Sequence, residues 1–220
     1  MKNDWLGNVT EDELAGRMFI SETGADRSNP LEALSRNLQH IRVSKKFKTV
    51  ICIPIRESPK TKLTVPHVAH LFASQGEKVL VIDANMDRPT IHSSFSIPNS
   101  PGLTDILVQG LDIYDVISLH PHKENLSILP AGTRTILPKK LLKEERFNDV
   151  LTKVKSQFDI LLINGPALSS KLLQKKFLRA VDAAVLIVNK GVVNNQQVVK
   201  AGKVLKRLSI EIIGSALIDN

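Results

Sequence analysis

From Lys48 to the end of the chain, short continuous apolar runs alternate with stretches of helical length whose apolar positions recur three and four apart. The runs Thr49–Ile55, Lys78–Asp83, Leu126–Leu129, Asp159–Ile163, Ala183–Val188 and Glu211–Leu217 are expected as strands. Between them, Val65–Ala73, Gly102–Gln109, Leu141–Ser156, Ser170–Arg179 and Asn195–Leu208 are expected as helices. Strands that are apolar on both faces must be covered on both faces, so the rhythm implies an α/β fold: a mostly parallel sheet with helices on either side. In such a sheet, ligands sit at the carboxyl ends of the strands.

A chain of 220 residues can close one large core without staples. The single cysteine, Cys52, lies in the run Val50-Ile51-Cys52-Ile53, where a thiol packs as a small hydrophobe. No Cys/His pair has metal-ligand spacing. Residues 1–29 are polar and acidic and read as an arm, and residues 30–220 read as a single domain. Pro30 starts an expected helix over Leu31–Val43, whose stripe of Leu31, Leu34, Leu38 and Ile41 is expected to bind a partner; packing on the domain itself stays open. No signal-type segment opens the sequence and no apolar stretch reaches the roughly 20 residues that span a bilayer. A cytoplasmic chain is expected, with membrane contact that is peripheral or borrowed from a partner.

The formal charge is +8, unevenly placed: residues 1–41 hold four basic and seven acidic groups, leaving +11 on residues 42–220. A field of that sign favours encounters with anions without choosing among them. An aromatic content of 4% offers little to stack on bases and argues against nucleic acid. The run Arg42, Lys45, Lys46, Lys48 and two basic sets at helical spacing (Lys171, Lys175, Lys176, Arg179; Lys200, Lys203, Lys206, Arg207) read most simply as solvated faces, with anionic lipid as the sharper alternative. The histidines, His67 and His70 among them, lack a Ser, Cys or metal-type companion and take no catalytic role.

Four segments carry the functional information: Val79-Leu80-Val81-Ile82-Asp83-Ala84-Asn85-Met86-Asp87-Arg88-Pro89, Pro98-Asn99-Ser100-Pro101-Gly102-Leu103-Thr104-Asp105-Ile106-Leu107, Leu126-Ser127-Ile128-Leu129-Pro130-Ala131-Gly132 and Phe158-Asp159-Ile160-Leu161-Leu162-Ile163-Asn164-Gly165-Pro166. In that order and spacing, the chain from Pro30 onward resembles the bacterial tyrosine kinases of capsule and exopolysaccharide synthesis, within the wider group of ATPases with a deviant phosphate loop. The resemblance implies a P-loop-type domain, ATP and Mg2+ as cofactors of an active member, and a membrane-anchored polysaccharide co-polymerase as partner, with an active homologue as a second candidate.

Phosphoryl transfer needs backbone N–H groups and a lysine around the phosphates, and a hydroxyl and carboxylates on magnesium. The family loop Pro-Gly-Glu-Gly-Lys-Ser aligns with Glu57-Ser58-Pro59-Lys60-Thr61-Lys62, which has no glycine. Without glycine the backbone loses its left-handed freedom, and Pro59 removes one N–H. Thr61 stands at the lysine position, with Lys60 and Lys62 as displaced candidates. Pro66 suits a first turn, so the following helix is expected to begin near Thr64. Asp83 matches the first aspartate of the second phosphate motif, either as a residual metal ligand or as a cap of the loop after its strand. Asn85 and Asn164 stand where the family has carboxylates, and an amide brings neither negative charge nor base strength. Arg88 aligns with a basic position and is a candidate phosphate contact, or can pair with Asp87.

The family's oligomerisation pattern is reduced to Glu32, with Ser35 and Leu38 at the arginine positions, and Ile218 replaces an adenine-reading asparagine. The sequence stops at Asn220 without the tyrosine-rich tail that the resemblance implies, and its one tyrosine, Tyr114, reads as a packed helix residue. The reading is therefore a degenerate tyrosine-kinase-like regulatory protein that needs no cofactor and works on the inner face of the membrane through its partner. Two alternatives stay open: a weak ATP-dependent tyrosine kinase using Asp83 and Lys60 or Lys62, and a basic adaptor on a membrane or DNA surface.

Overall fold

A computed structural model describes residues 18–19, 30–134, 144–170 and 178–218. The elements in chain order are β1 (Met18–Phe19), α1 (Pro30–Lys45), β2 (Thr49–Pro54), α2 (Pro59–Ser74), β3 (Val79–Asp83), α3 (Ile91–Ser94), α4 (Leu103–Gln109), α5 (Ile113–Val116), β4 (Ser118–His120), β5 (Lys123–Leu129), α6 (Glu144–Val154), β6 (Ile160–Asn164), β7 (Ala183–Asn189), α7 (Asn195–Leu208) and β8 (Ile212–Ile218). All six strands expected from the apolar runs are present. They form one sheet in the order β1-β8-β7-β2-β6-β3-β5-β4, parallel except for β4, which runs antiparallel to β5 at the edge. The pairing of Met18–Phe19 with β8 draws part of the N-terminal arm into the opposite edge, which its polar composition did not signal.

Alternation along each strand divides the interior into two cores. Ile51, Ile53, Leu80, Ile82, Leu161 and Ile163 face one, covered by α4, α5, α6 and α7. Val50, Cys52, Val79, Val81, Ile160 and Leu162 face the other, covered by α1 and α2. Cys52 is buried, and its thiol pKa is pushed up to about 12 by loss of water, so it stays a neutral packing group.

The stripe on α1 is spent inside the chain. Leu34 and Leu38 are fully buried, Ile41 is buried, and Leu31 packs against the same core, beneath α2 and β8. These four residues are therefore not a partner-binding face: an α/β sheet leaves its β7–β8 side uncovered on this face unless α1 lies there. The basic run after the stripe is also largely engaged. Arg42 pairs with Glu77 and stacks over Phe72, Lys45 pairs with Glu211, and Lys48 Nζ donates to the carbonyls of Lys155 (3.1 Å) and Phe158 (3.2 Å).

Two further expectations are corrected. Helix α2 begins at Pro59, not near Thr64, so Pro66 lies inside it, on its buried side. A strong cap at Ser58 nucleates the helix early enough to outweigh the lost interior hydrogen bond. Tyr114 is half exposed, and its hydroxyl donates to the Lys153 carbonyl at 3.1 Å. The Leu141–Ser156 expectation appears as α6, with residues 141–143 outside the described residues. Most of the Ser170–Arg179 expectation, with Lys171, Lys175 and Lys176, also lies outside them. Lys200, Lys203, Lys206 and Arg207 are exposed on α7, as a solvated face requires.

Candidate functional site

The carboxyl ends of β2, β3 and β6 meet at one end of the sheet, because β6 inserts between β2 and β3. Register places Asp83 opposite Asn164, and Asn164 opposite Cys52. Asp83 is fully buried. Its Oδ1 accepts from the Asn85 N–H (3.1 Å) and Asn164 Nδ2 (2.9 Å), and its Oδ2 accepts from the N–H groups of Thr90 (2.9 Å) and Ile91 (3.0 Å). Burial pushes its carboxyl above the usual aspartate value, while the donors on Ile91, Asn164, Thr90 and Asn85 pull against that rise. Three of these bonds, from the N–H groups of Asn85, Thr90 and Ile91, turn the chain after β3 and start α3, which is the capping role open to Asp83 from sequence, while the fourth ties it to β6.

The loop between β2 and α2 is organised by its own side chains. Ser58, extended at φ −150°, is the N-cap of α2: its Oγ accepts from the Thr61 N–H at 3.2 Å, and Thr61 Oγ1 accepts from the Ser58 N–H at 2.9 Å. This reciprocal cap uses the third amide of the helix, and Pro59 at the first position has none. Thr61 is buried within the cap, while Lys60 and Lys62 project to solvent. The Ser-Pro pair at N-cap and first position was the overlooked sequence signal for this helix start.

Beside the cap, Glu57 reaches the β3 loop. Its Oε1 accepts from Asn85 Nδ2 (3.0 Å) and its Oε2 pairs with Arg88 Nη1 (3.2 Å). Arg88 thus pairs with Glu57 and not with Asp87, whose Oδ2 accepts from Ser170 Oγ at 3.3 Å. These groups border a cleft of about 440 Å3 that also includes Arg56 and Ser169. Of the candidates read from sequence, the fold gathers Asp83, Asn164 and Arg88 around this end of the sheet and turns Lys60 and Lys62 outward. Glu57, Ser58 and Thr90 join them without having been singled out. Among the described residues, no group of three or more His, Cys, Asp or Glu side chains is placed to hold a metal ion.

The second and third sequence motifs form a clasp next to this site. Asp105 Oδ2 accepts from the N–H groups of Gly102 (2.7 Å) and Thr133 (3.0 Å), and Thr104 Oγ1 donates to the Thr133 carbonyl at 2.8 Å. Gly132, at φ +94°, sits where a Cβ would fall 2.3 Å from Thr104 Oγ1. Burial would raise the Asp105 carboxyl, but the Thr133 and Gly102 donors outweigh it and hold the pKa below the usual value.

A sheet of this order, with a helix starting beside its central strand and polar strand ends around a cleft, defines an α/β nucleotide-hydrolase-like class. The chain belongs to the AAA domain family, whose model matches residues 58–212. It is 23% identical over 198 residues to the tyrosine-protein kinase YwqD of Bacillus subtilis (strain 168), covering 90% of this chain and 83% of that protein. The kinase domain of the Escherichia coli tyrosine kinase ETK superposes with a TM-score of 0.80 at 19% identity, over 94% of this chain and 89% of that one. The chimerical protein CapA2B2 gives 0.79 at 19% identity, over 94% and 92%. At these identities the structural likeness establishes the fold, which is P-loop NTPase-like and shared with bacterial tyrosine-kinase domains. Among the described residues, no helix is long and apolar enough to cross a membrane.

Proposed function

We propose that this chain is a regulatory, nucleotide-independent relative of the bacterial tyrosine kinases, acting in capsule or exopolysaccharide assembly. The observation that carries the reading is the reciprocal Ser58–Thr61 cap: the amide that would face a phosphate is turned to the chain's own hydroxyl, and Pro59 brings none. A helix start closed in this way has little left for an anion. The donor set does not fit a magnesium-bound nucleotide either. Asp83 is occupied by four donors, and Asn85 and Asn164 supply amides where magnesium takes carboxylates.

What remains is a fold that can serve as a binding surface. The partner in this reading is a membrane-anchored polysaccharide co-polymerase, which holds the chain at the inner face of the membrane. Support comes from the resemblance and from the likeness to CapA2B2. Because the α1 stripe is internal, docking falls to other surfaces.

A titration of the full chain with ATP, with and without magnesium, tests the reading, together with a phosphotyrosine assay. No binding and no phosphotyrosine are expected. Magnesium-dependent binding abolished by Asp83→Ala would instead favour the weak-kinase alternative, which the names of the relatives support. The adaptor alternative rests on the basic face of α7 and predicts salt-sensitive binding to anionic vesicles or DNA.

A further inference from the structure

Glu57 belongs to the β2–α2 connection, yet both of its carboxylate oxygens are held from the loop after β3. Asn85 Nδ2 donates at 3.0 Å and Arg88 Nη1 at 3.2 Å. The Glu57 side chain is only 15% exposed, whereas that of Arg88 is 74% exposed. Asn85 is buried, so its amide is set in position by the fold and not by solvent. Arg56 and the hydroxyl residues Ser169 and Ser170 border the same cleft of about 440 Å3.

A guanidinium and a buried amide N–H converging on one planar anion, with a second guanidinium and hydroxyls nearby, are the donor types that hold phosphoryl oxygens. Here the anion is part of the chain, and so is present at the high effective concentration of an intramolecular ligand. The charges bordering the cleft balance: Arg56 and Arg88 against Glu57 and Asp87. Asp83 lies behind Asn85, satisfied by its own four donors. A soluble dianion therefore gains no net attraction while Glu57 is charged and in place. With the Glu57 charge removed, two guanidinium groups face one carboxylate.

We infer that Glu57 is a built-in occupant of an oxyanion site. It latches the β2–α2 connection to the β3 loop and excludes phosphate-bearing ligands from a cleft that, relieved of the Glu57 charge, binds a phosphoryl or pyrophosphoryl group through Arg88 and Asn85. This goes beyond the nucleotide-independent reading, because it names the residue that closes the cleft and the ligand class the cleft accepts.

The test is calorimetric titration of the full chain with inorganic pyrophosphate at low ionic strength. Glu57→Gln keeps the side-chain shape and removes the charge. It should bind about tenfold or more tightly than the unaltered protein, since a like charge at contact costs at least that much. The gain should vanish in the Glu57→Gln/Arg88→Gln double variant. Glu57→Ala makes the same comparison if thermal melting shows that Glu57→Gln is misfolded. In the unaltered protein, the side-chain carboxyl carbon resonance of Glu57 should not move across the concentrations that saturate the variant. Equal affinities, or a gain that survives loss of Arg88, would overturn the latch. Magnesium-dependent ATP binding by the unaltered protein would overturn the nucleotide-independent reading instead, leaving the latch to be judged by the ratio of the two pyrophosphate affinities.

Discussion

Asn164 Nδ2 donates to Asp83 Oδ1 at 2.9 Å, across the register that joins β6 to β3. A carboxylate at position 164 would face another carboxylate at that distance in a buried setting. The amide converts what would be repulsion into a bond, so the ends of β3 and β6 are joined at this point.

Asn164→Asp is therefore expected to destabilise the fold by about 3 kcal/mol at neutral pH, as an unpaired buried charge does. The loss should shrink in acid, where one carboxyl of the pair is protonated and can donate to the other. Thermal melting across pH measures this; a variant as stable as the parent at pH 7 would show that the pair is not coupled. ATP hydrolysis should not appear, because the Ser58–Thr61 cap is untouched.

Ser58→Ala removes the acceptor for the Thr61 N–H and should cost about 1 kcal/mol, in the usual range for an N-cap. Chemical denaturation reads the loss directly. Hydrogen exchange should show the first turn of α2 opening earlier than its centre.

Gly132→Ala should cost about 3 kcal/mol or more, because the residue has φ +94° and its new methyl would strike Thr104 Oγ1 at 2.3 Å. Denaturant midpoints for Gly132→Ala and Gly76→Ala separate the two causes. Gly76 shares a positive φ of 86° but has nothing within 4 Å of a Cβ, so its cost should be smaller.

Leu38→Ala should lower stability by about 3 kcal/mol, the cost of a cavity at a fully buried leucine. Equilibrium unfolding provides the figure. A variant of unchanged stability that lost only a binding partner would return the α1 stripe to the role expected from sequence.

Asp182 supplies a pH prediction. Burial would raise its carboxyl, but the Lys155 ammonium at 2.7 Å and the N–H groups of Lys48 (2.8 Å) and Thr49 (2.9 Å) outweigh it and hold the pKa below the usual value. A depressed carboxyl contributes stability that is present above its unfolded value of about 3.9 and is lost as pH falls through the folded value. The melting temperatures of the parent and Asp182→Asn should thus differ at pH 7 and converge below about pH 4. Curves that stay parallel would deny the link.

The α/β class and the six main strands were legible in the sequence, because strand burial on both faces is written as continuous apolar runs and helix burial as a three-four period. That Asn85 and Asn164 bring uncharged amides to this part of the chain was equally plain, since residue chemistry needs no coordinates. Tertiary structure decided which apolar stripe is covered by the chain itself: the period of Leu31, Leu34, Leu38 and Ile41 is the same whether the partner is a sheet or another protein, and only the position of β8 beside α1 makes it a core. It also decided the fate of each charge. Glu57 and Arg88 are thirty-one positions apart, and an ion pair at that separation exists only because β2 and β3 end at the same level of one sheet. Local periodicity follows from the backbone geometry of each element, whereas contacts between loops depend on how separate elements are brought together.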